Sequence, residues 1–320
     1  MDILHALHAF VHRYFAMFCI PFLLLGMFLG ETVSGLAFAI PWLLGLLMFS
    51  NGLGLRLQDL RILRQKPWLL PVILALFHVV MPAIALGITT ALGFPTDAVI
   101  GFVLLALVPM SATAAVWTGV YCGNLTLSMA LVLADTIITP FFIPYILTLF
   151  FAAEVVMDPF HMLWGLFWML FFPTTLAIVC NRLTNGEMQR VAGKPLAFVS
   201  QLAVFSLLVI NGGVVAPFVQ ESNVLFFLIF GASFVLGAFW FVFSFMLGRL
   251  LFTEGGDVLA FMFTGAMRTS TTGMVIAVAY FPPAVALVMV SSMFFQQAQA
   301  VWYGKVARDW LDKRERPSVE

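Results

Sequence analysis

The sequence predicts an all-α membrane protein of about ten transmembrane helices in two inverted five-helix repeats, with the fourth and ninth helices broken where they cross. Three observations carry this expectation. The chain is 62% hydrophobic and only 9% charged, whereas a soluble domain is about one-quarter charged. Its apolar runs are continuous, without the alternation of barrel strands. Its basic residues fall in alternate connections, as cytoplasmic loops require. Lipid is the natural solvent for such a chain, and in lipid a helix meets its backbone hydrogen bonds within one segment.

A span needs about 20 apolar residues. In order, the first repeat (1–155) supplies runs at 14–30, 35–53, 68–92, 98–121 and 125–151. The second (156–320) supplies 160–180, 197–219, 224–251, 258–280 and 284–303. The first span has a blurred start, because His5, His8, His12 and Arg13 precede it. No small-residue cleavage site follows to mark a signal peptide. With the N-terminus inside, the inside segments hold Arg13; Arg56, Arg61, Arg64 and Lys66; Arg182, Arg190 and Lys194; and Arg249. The inside tail adds Lys305, Arg308, Lys313, Arg314 and Arg316, and reads as a solvated extension. The outside loops hold Glu31, Asp97, Glu154, Asp158 and Glu221, with no Lys or Arg. This sorting places both termini in the cytoplasm and the chain in the cell (inner) membrane as a multi-pass protein.

An odd number of helices per half inverts the halves relative to one another. The fourth and ninth spans resemble each other most. Each opens on an acid (Asp97, Asp257), carries small polar residues midway and ends on a tyrosine (Tyr121, Tyr280).

The middle of these two spans is where chemistry is expected. Pro109 removes a backbone donor halfway along the fourth, so the helix breaks or bends there. Ser111 and Thr113 follow it. In the ninth, Thr269, Ser270, Thr271, Thr272 and Gly273 form a polar run at membrane depth, read as the second break. Irregular backbone at that depth is tolerated only inside protein or beside a wet cavity, and paired breaks point to a binding site. A packed kink with small residues at a helix contact is the alternative. Arg268 follows Asp257 by 11 residues, or roughly 16 Å along a helix, near the bilayer midplane. Asp135 is the comparably deep acid. The two can form a permanent ion pair locking the halves together, or Arg268 can meet a substrate carboxylate or sulfonate while Asp135 releases it or carries a proton.

Weaker candidates are His78, ahead of Pro82, as a proton carrier or a satisfied buried histidine, and Gln296, Gln297 and Gln299, as ligand donors or interhelical glue. Asn211-Gly212-Gly213 is a flexible or close-packed point. Cys19, Cys122 and Cys180 have no metal spacing and read as packed thiols. No Ser-His or paired-Asp arrangement suggests an enzyme. A net charge of zero names no partner; the bilayer is one, and no nucleic acid is expected.

These residues resemble the bile acid:sodium symporter family over most of the chain. Ile40-Pro41-Trp42-Leu43-Leu44-Gly45, with Met48-Phe49 and Gly52-Leu53, is similar to that family's second helix. The stretch 109–140, with Gly123-Asn124 and Leu127-Ser128, is similar to its fourth and fifth, and Thr272-Gly273 to its ninth. The resemblance implies a core (helices 3–5 and 8–10), a panel (helices 1–2 and 6–7), and an organic anion bound between them, usually carried with sodium. The sequence departs from the family where sodium binds. A Ser-Asn pair is Ala114-Ala115, a Thr is Val132 although Ser128 remains, a Glu is Ala266, Gln-Asn-Ser is Ser270-Thr271-Thr272, and a Gln is Phe77. Hard cations need oxygen ligands that Ala, Val and Phe lack.

The usual sodium sites are therefore expected to be absent, with a fixed guanidinium replacing the cations electrostatically. No other cofactor is expected. The implied function is alternating-access transport of organic anions, bile-acid-like or small carboxylates. The alternatives are a proton-coupled exporter using Asp135 or His78, and a non-transporting membrane sensor or scaffold with the same fold. The sequence leaves the oligomeric state open.

Overall fold

The computed structural model describes residues 15–151, 158–221 and 223–315, and these are helical with short connections. The helices are α1 (Phe15–Leu29), α2 (Thr32–Leu53), α3 (Leu69–Ala91), α4 (Thr96–Leu107), α5 (Ala112–Val120), α6 (Leu125–Phe151), α7 (Pro159–Leu183), α8 (Glu187–Glu221), α9 (Asn223–Leu251), α10 (Gly255–Ala266), α11 (Ser270–Tyr280) and α12 (Pro283–Glu315). Seven of them, α2, α3, α6, α7, α8, α9 and α12, contain stretches long and apolar enough to cross a membrane. A chain with so many apolar helices is a multi-pass membrane protein. The segments with His5, His8, His12, Arg13, Glu154 and Arg316 lie outside the described residues.

Local chemistry explains the departures from simple rods. Pro82 has no N–H to offer the His78 carbonyl, and a π-helical turn at Leu76–Val80 precedes it. The same pairing recurs at Phe167–Phe171 ahead of Pro173. The helix over the seventh run starts at Glu187, ten residues before the apolar stretch, because polar residues at its start suit a helix that leaves the lipid. The described part of the C-terminal extension is helical, with Lys305 and Lys313 exposed. α12 runs on to Glu315, with Ala307 and Leu311 buried and the Arg249 guanidinium 3.9 Å from the Trp310 ring centroid.

Helix packing falls into two sets. α8 lies along α1 and α2, and α2 lies against α7. In the other set α3 and α12 flank α4, α9 packs on α10 and α12, and α6 touches α5 and α10. Glycine lets α1 and α8 meet backbone to backbone. A Cβ on Gly212 would collide with the Leu23 carbonyl, and one on Gly26 with that of Val209. Asn211-Gly212-Gly213 is thus a close-packed crossing, with Asn211 bonded to its own helix through Nδ2 and the Leu207 carbonyl at 2.7 Å.

Candidate functional site

The break after Leu107 and the break after Ala266 meet. Residues 108–111 and 267–269 run antiparallel, with Met110 opposite Arg268. The Ser111 N–H donates to the Met267 carbonyl (3.0 Å) and the Thr269 N–H to that of Pro109 (2.8 Å). Groups that a continuous helix would have paired internally are paired across the two breaks, which lets extended backbone sit in the buried interior. Thr269 Oγ1 adds a bond to the Met110 carbonyl (3.2 Å), and Ser111 caps α5 by accepting from the Thr113 N–H (3.3 Å).

Pro109 lies in its break as expected. Gly273 does not. It sits one turn inside α11, where a side chain would strike the Met289 sulfur at 2.5 Å and Val108 Cγ1 at 3.1 Å. Its smallness serves packing, and the second break needs no glycine because the ribbon bonds hold it.

Two faces of this crossing differ. On the first, Asp135, 1% exposed, accepts the Met110 N–H through Oδ2 at 2.6 Å. Its Oδ1 lies 3.1 Å from His78 Nε2, a contact close but not aligned as a hydrogen bond. His78 stacks on Phe142, with ring centroids 5.0 Å apart. Arg268, 4% exposed, lies on this face too. It reaches the Val108 carbonyl (3.4 Å) and the Met81 sulfur (3.5 Å), and its guanidinium sits 5.0 Å from the Phe77 centroid. Among the described residues Arg268 makes no ion pair, so the direct Arg268–Asp135 bridge does not form. The backbone explains this: Met110 and His78 hold the carboxylate, while the end of α4 offers Arg268 a free carbonyl. Arg268 Nε, both ring nitrogens of His78 and Asp135 Oδ1 have no hydrogen-bond partner among the described residues.

On the second face, facing α2 and α7, is a cavity of about 20 Å³, room for one water molecule. Asn51, Thr136, Thr174, Thr269 and Thr272 line it beside Pro109 and Met110. Thr272 Oγ1 is buried there without a partner. The Arg268 head group points away from this cavity, toward α3 and α4.

The remaining candidates are scattered. Ser270 Oγ meets Ser292 Oγ at 2.7 Å, and Gln296 Nε2 donates to the Arg268 carbonyl at 2.9 Å, so both brace the second break. Thr271 is half-buried and Thr113 exposed, with Thr113 Oγ1 2.8 Å from Ser111 Oγ. Gln299 is not at the crossing. Its Nε2 donates to the Phe234 carbonyl of α9 at 2.7 Å, one turn past Gln296, and it acts as glue. Gln297 accepts from the Trp117 indole at 2.8 Å. Ser128 is buried against Thr118 (3.3 Å), two turns and about 10 Å along α6 from Asp135. Sequence reasoning missed Asn51, Thr136 and Thr174. Each sits beside another polar residue in an apolar helix (Ser50-Asn51, Asp135-Thr136, Thr174-Thr175), and such pairs signal a shared cavity only once the helices are placed.

Comparison with known proteins now bears on this geometry. The model of the Sodium Bile acid symporter family matches residues 41–227, more than half of the chain. The chain belongs to that family. It is 31% identical over 284 residues to the uncharacterized protein YbaS of Bacillus subtilis, covering 88% of this chain and 92% of the relative. It is 24% identical over 286 residues to YocS of the same organism, described as an uncharacterized sodium-dependent transporter, covering 88% and 87%. With its apolar helices, this makes the protein a membrane transporter of the bile acid symporter family, and the names of the family and the relative point to transport.

Proposed function

We propose that the protein carries organic anions, bile-acid-like or small carboxylates, by alternating access, without the usual two sodium ions. The single observation that carries this reading is the position of the Arg268 guanidinium. It rests at the C-terminal end of half-helix α4, against the Val108 carbonyl and over the Phe77 ring. A helix C-terminus attracts a cation. Here the cation is covalently attached, beside a ring that ligates no metal. Its fixed charge does the electrostatic work of a bound ion, and it repels a mobile one.

The anion is taken on the opposite face, where half-helices α5 and α11 begin beside the small cavity. Helix N-termini favour negative charge, and the unpartnered Thr272 hydroxyl and Thr269 supply donors there. Ser111, Thr113, Ser270, Thr271 and Gln296 shape the two breaks around that point. Arg268 acts on the anion through the crossing rather than by direct contact. The two packing sets correspond to a panel (α1, α2, α7, α8) and a core (the other helices), which move against each other. Counted with α1 and the two broken pairs α4–α5 and α10–α11, the helices make ten crossings in two inverted repeats, with both ends cytoplasmic.

A second reading, coupling to a proton, is favoured by one observation: the buried contact between His78 and Asp135. Flux measured with and without an imposed proton gradient separates these readings, and the absence of any flux would show a scaffold that moves nothing. Proteoliposomes are loaded with potassium or choline in place of sodium, and uptake of labelled taurocholate and short carboxylates is followed. We expect saturable uptake unchanged by the replacement, and its loss in folded Arg268→Ala. Strong saturable sodium dependence overturns the sodium-free reading.

A further inference from the structure

At one end of the bundle, the α2–α3 connection and the α7–α8 connection enclose an open groove of about 1160 Å³. Arg56, Arg61, Arg64, Arg182 and Arg190 line it, against the single acid Glu187. Glu187 is taken by Arg190, at 2.8 Å. Among the described residues the other four arginines have no ion pair. Loops rich in arginine are ordinary on a cytoplasmic face. What that rule does not require is a concave arrangement leading inward.

This groove does lead inward. Leu55 lines both the groove and the small cavity at the crossing. Ile178 lines the groove, and Thr174, one turn deeper on α7, lines the cavity. At the end of α2, four residues separate Asn51 on the helix from Leu55 just beyond it. Leu55 and Ile178 are buried apolar residues set between a basic vestibule and a polar chamber. Apolar side chains so placed would bar an ion from passing between the two.

We propose that the groove is the anion-collecting mouth of the transport path and that Leu55 with Ile178 is its gate; this rests on the reading of the protein as an anion carrier. A cleft lined by one sign of charge raises the local concentration of opposite ions by tenfold or more. The mouth therefore selects for negative charge before any contact at the crossing.

The test needs no known substrate. With Cys19, Cys122 and Cys180 replaced by Ser, Gln58→Cys places a thiol in the groove lining and Thr174→Cys places one in the inner chamber. Each is labelled in nanodiscs with 2-sulfonatoethyl methanethiosulfonate (anionic) and with its trimethylammonium analogue (cationic), and rates are normalised to a free thiol. At Gln58→Cys the anionic reagent should win by about tenfold, and Arg56→Gln with Arg61→Gln and Arg182→Gln should bring the ratio near one. Labelling of Thr174→Cys should be slow and rise at least about tenfold when Leu55→Ala or Ile178→Ala is added. Two gate variants guard against one that does not fold, and an unchanged Gln58→Cys rate serves as the folding control. No charge preference overturns the mouth, and a Thr174→Cys rate unmoved by either folded variant overturns the gate. Both outcomes leave the sodium-replacement flux result standing or falling by itself.

Discussion

Asp135 uses one carboxylate oxygen to hold the Met110 N–H and leaves the other beside His78. The first role is structural, since Met110 lies in extended backbone with no helical acceptor in reach. Asparagine keeps an oxygen for that N–H; alanine does not. A buried donor left unmet costs about 1–3 kcal/mol. Asp135→Ala should therefore lower the thermal unfolding midpoint clearly more than Asp135→Asn, read by tryptophan fluorescence in detergent. Equal losses would show that charge, not the Met110 bond, is what matters. An interior position was legible for both Asp135 and Arg268, which are buried, because it follows from a count of residues from a polar helix end. Their partners were not. Which side of a helix a residue faces depends on how the helix is rotated, and a broken helix loses its register at the break. Hence the Arg268–Asp135 pair was one of two open readings; the carboxylate lies beside His78, and Arg268 reaches Val108.

Among elements, the proline-marked break was readable, because a missing N–H has a local consequence wherever it occurs. The second break has no proline. Its polar run gave the place, yet Gly273 belongs to the packing of α11 on α4 and α12 rather than to the break. Gln299 was misplaced for a related reason, as a polar residue in an apolar helix serves a neighbour as readily as a ligand. The α1–α8 contact shows the complementary case. Asn211-Gly212-Gly213 allowed flexibility or close approach, and only the partner backbone decides. A side chain at Gly212 meets carbonyl and backbone atoms of α1 that cannot rotate away. Overpacking of this kind costs about 1–3 kcal/mol. Gly212→Val should accordingly lower the unfolding midpoint, whereas Gly231→Val, with open space at its Cβ, should leave it nearly unchanged. Similar shifts for the two would mean that the crossing yields easily.

For the whole molecule, the decisive question is how many times the chain crosses the bilayer, and contacts between distant loops bear on it. Asp257 at the start of α10 accepts from Lys66 at 2.5 Å and from Asn124 Nδ2 at 2.7 Å. The Asn124 N–H in turn donates to the Gly256 carbonyl at 2.8 Å. The connections preceding α3, α6 and α10 thus meet at one end of the bundle, with the arginine groove at the same end of the sequence-derived sorting. Ten crossings put all three connections on one side, because each is separated from the next by an even number of spans if α4–α5 counts as one crossing. Were α4 and α5 to cross separately, Asn124 would emerge opposite Lys66, and the contact would be impossible. The proposed orientation puts this basic end in the cytoplasm. Fusions in a bacterial host test this directly. A fluorescent protein placed after Glu320 should fold and fluoresce in the cytoplasm, as should one after Asn185. Alkaline phosphatase placed after Gly93 should be active outside. An inactive enzyme at Gly93, with fluorescence retained at both other positions, would break the alternation on which the two-repeat reading depends.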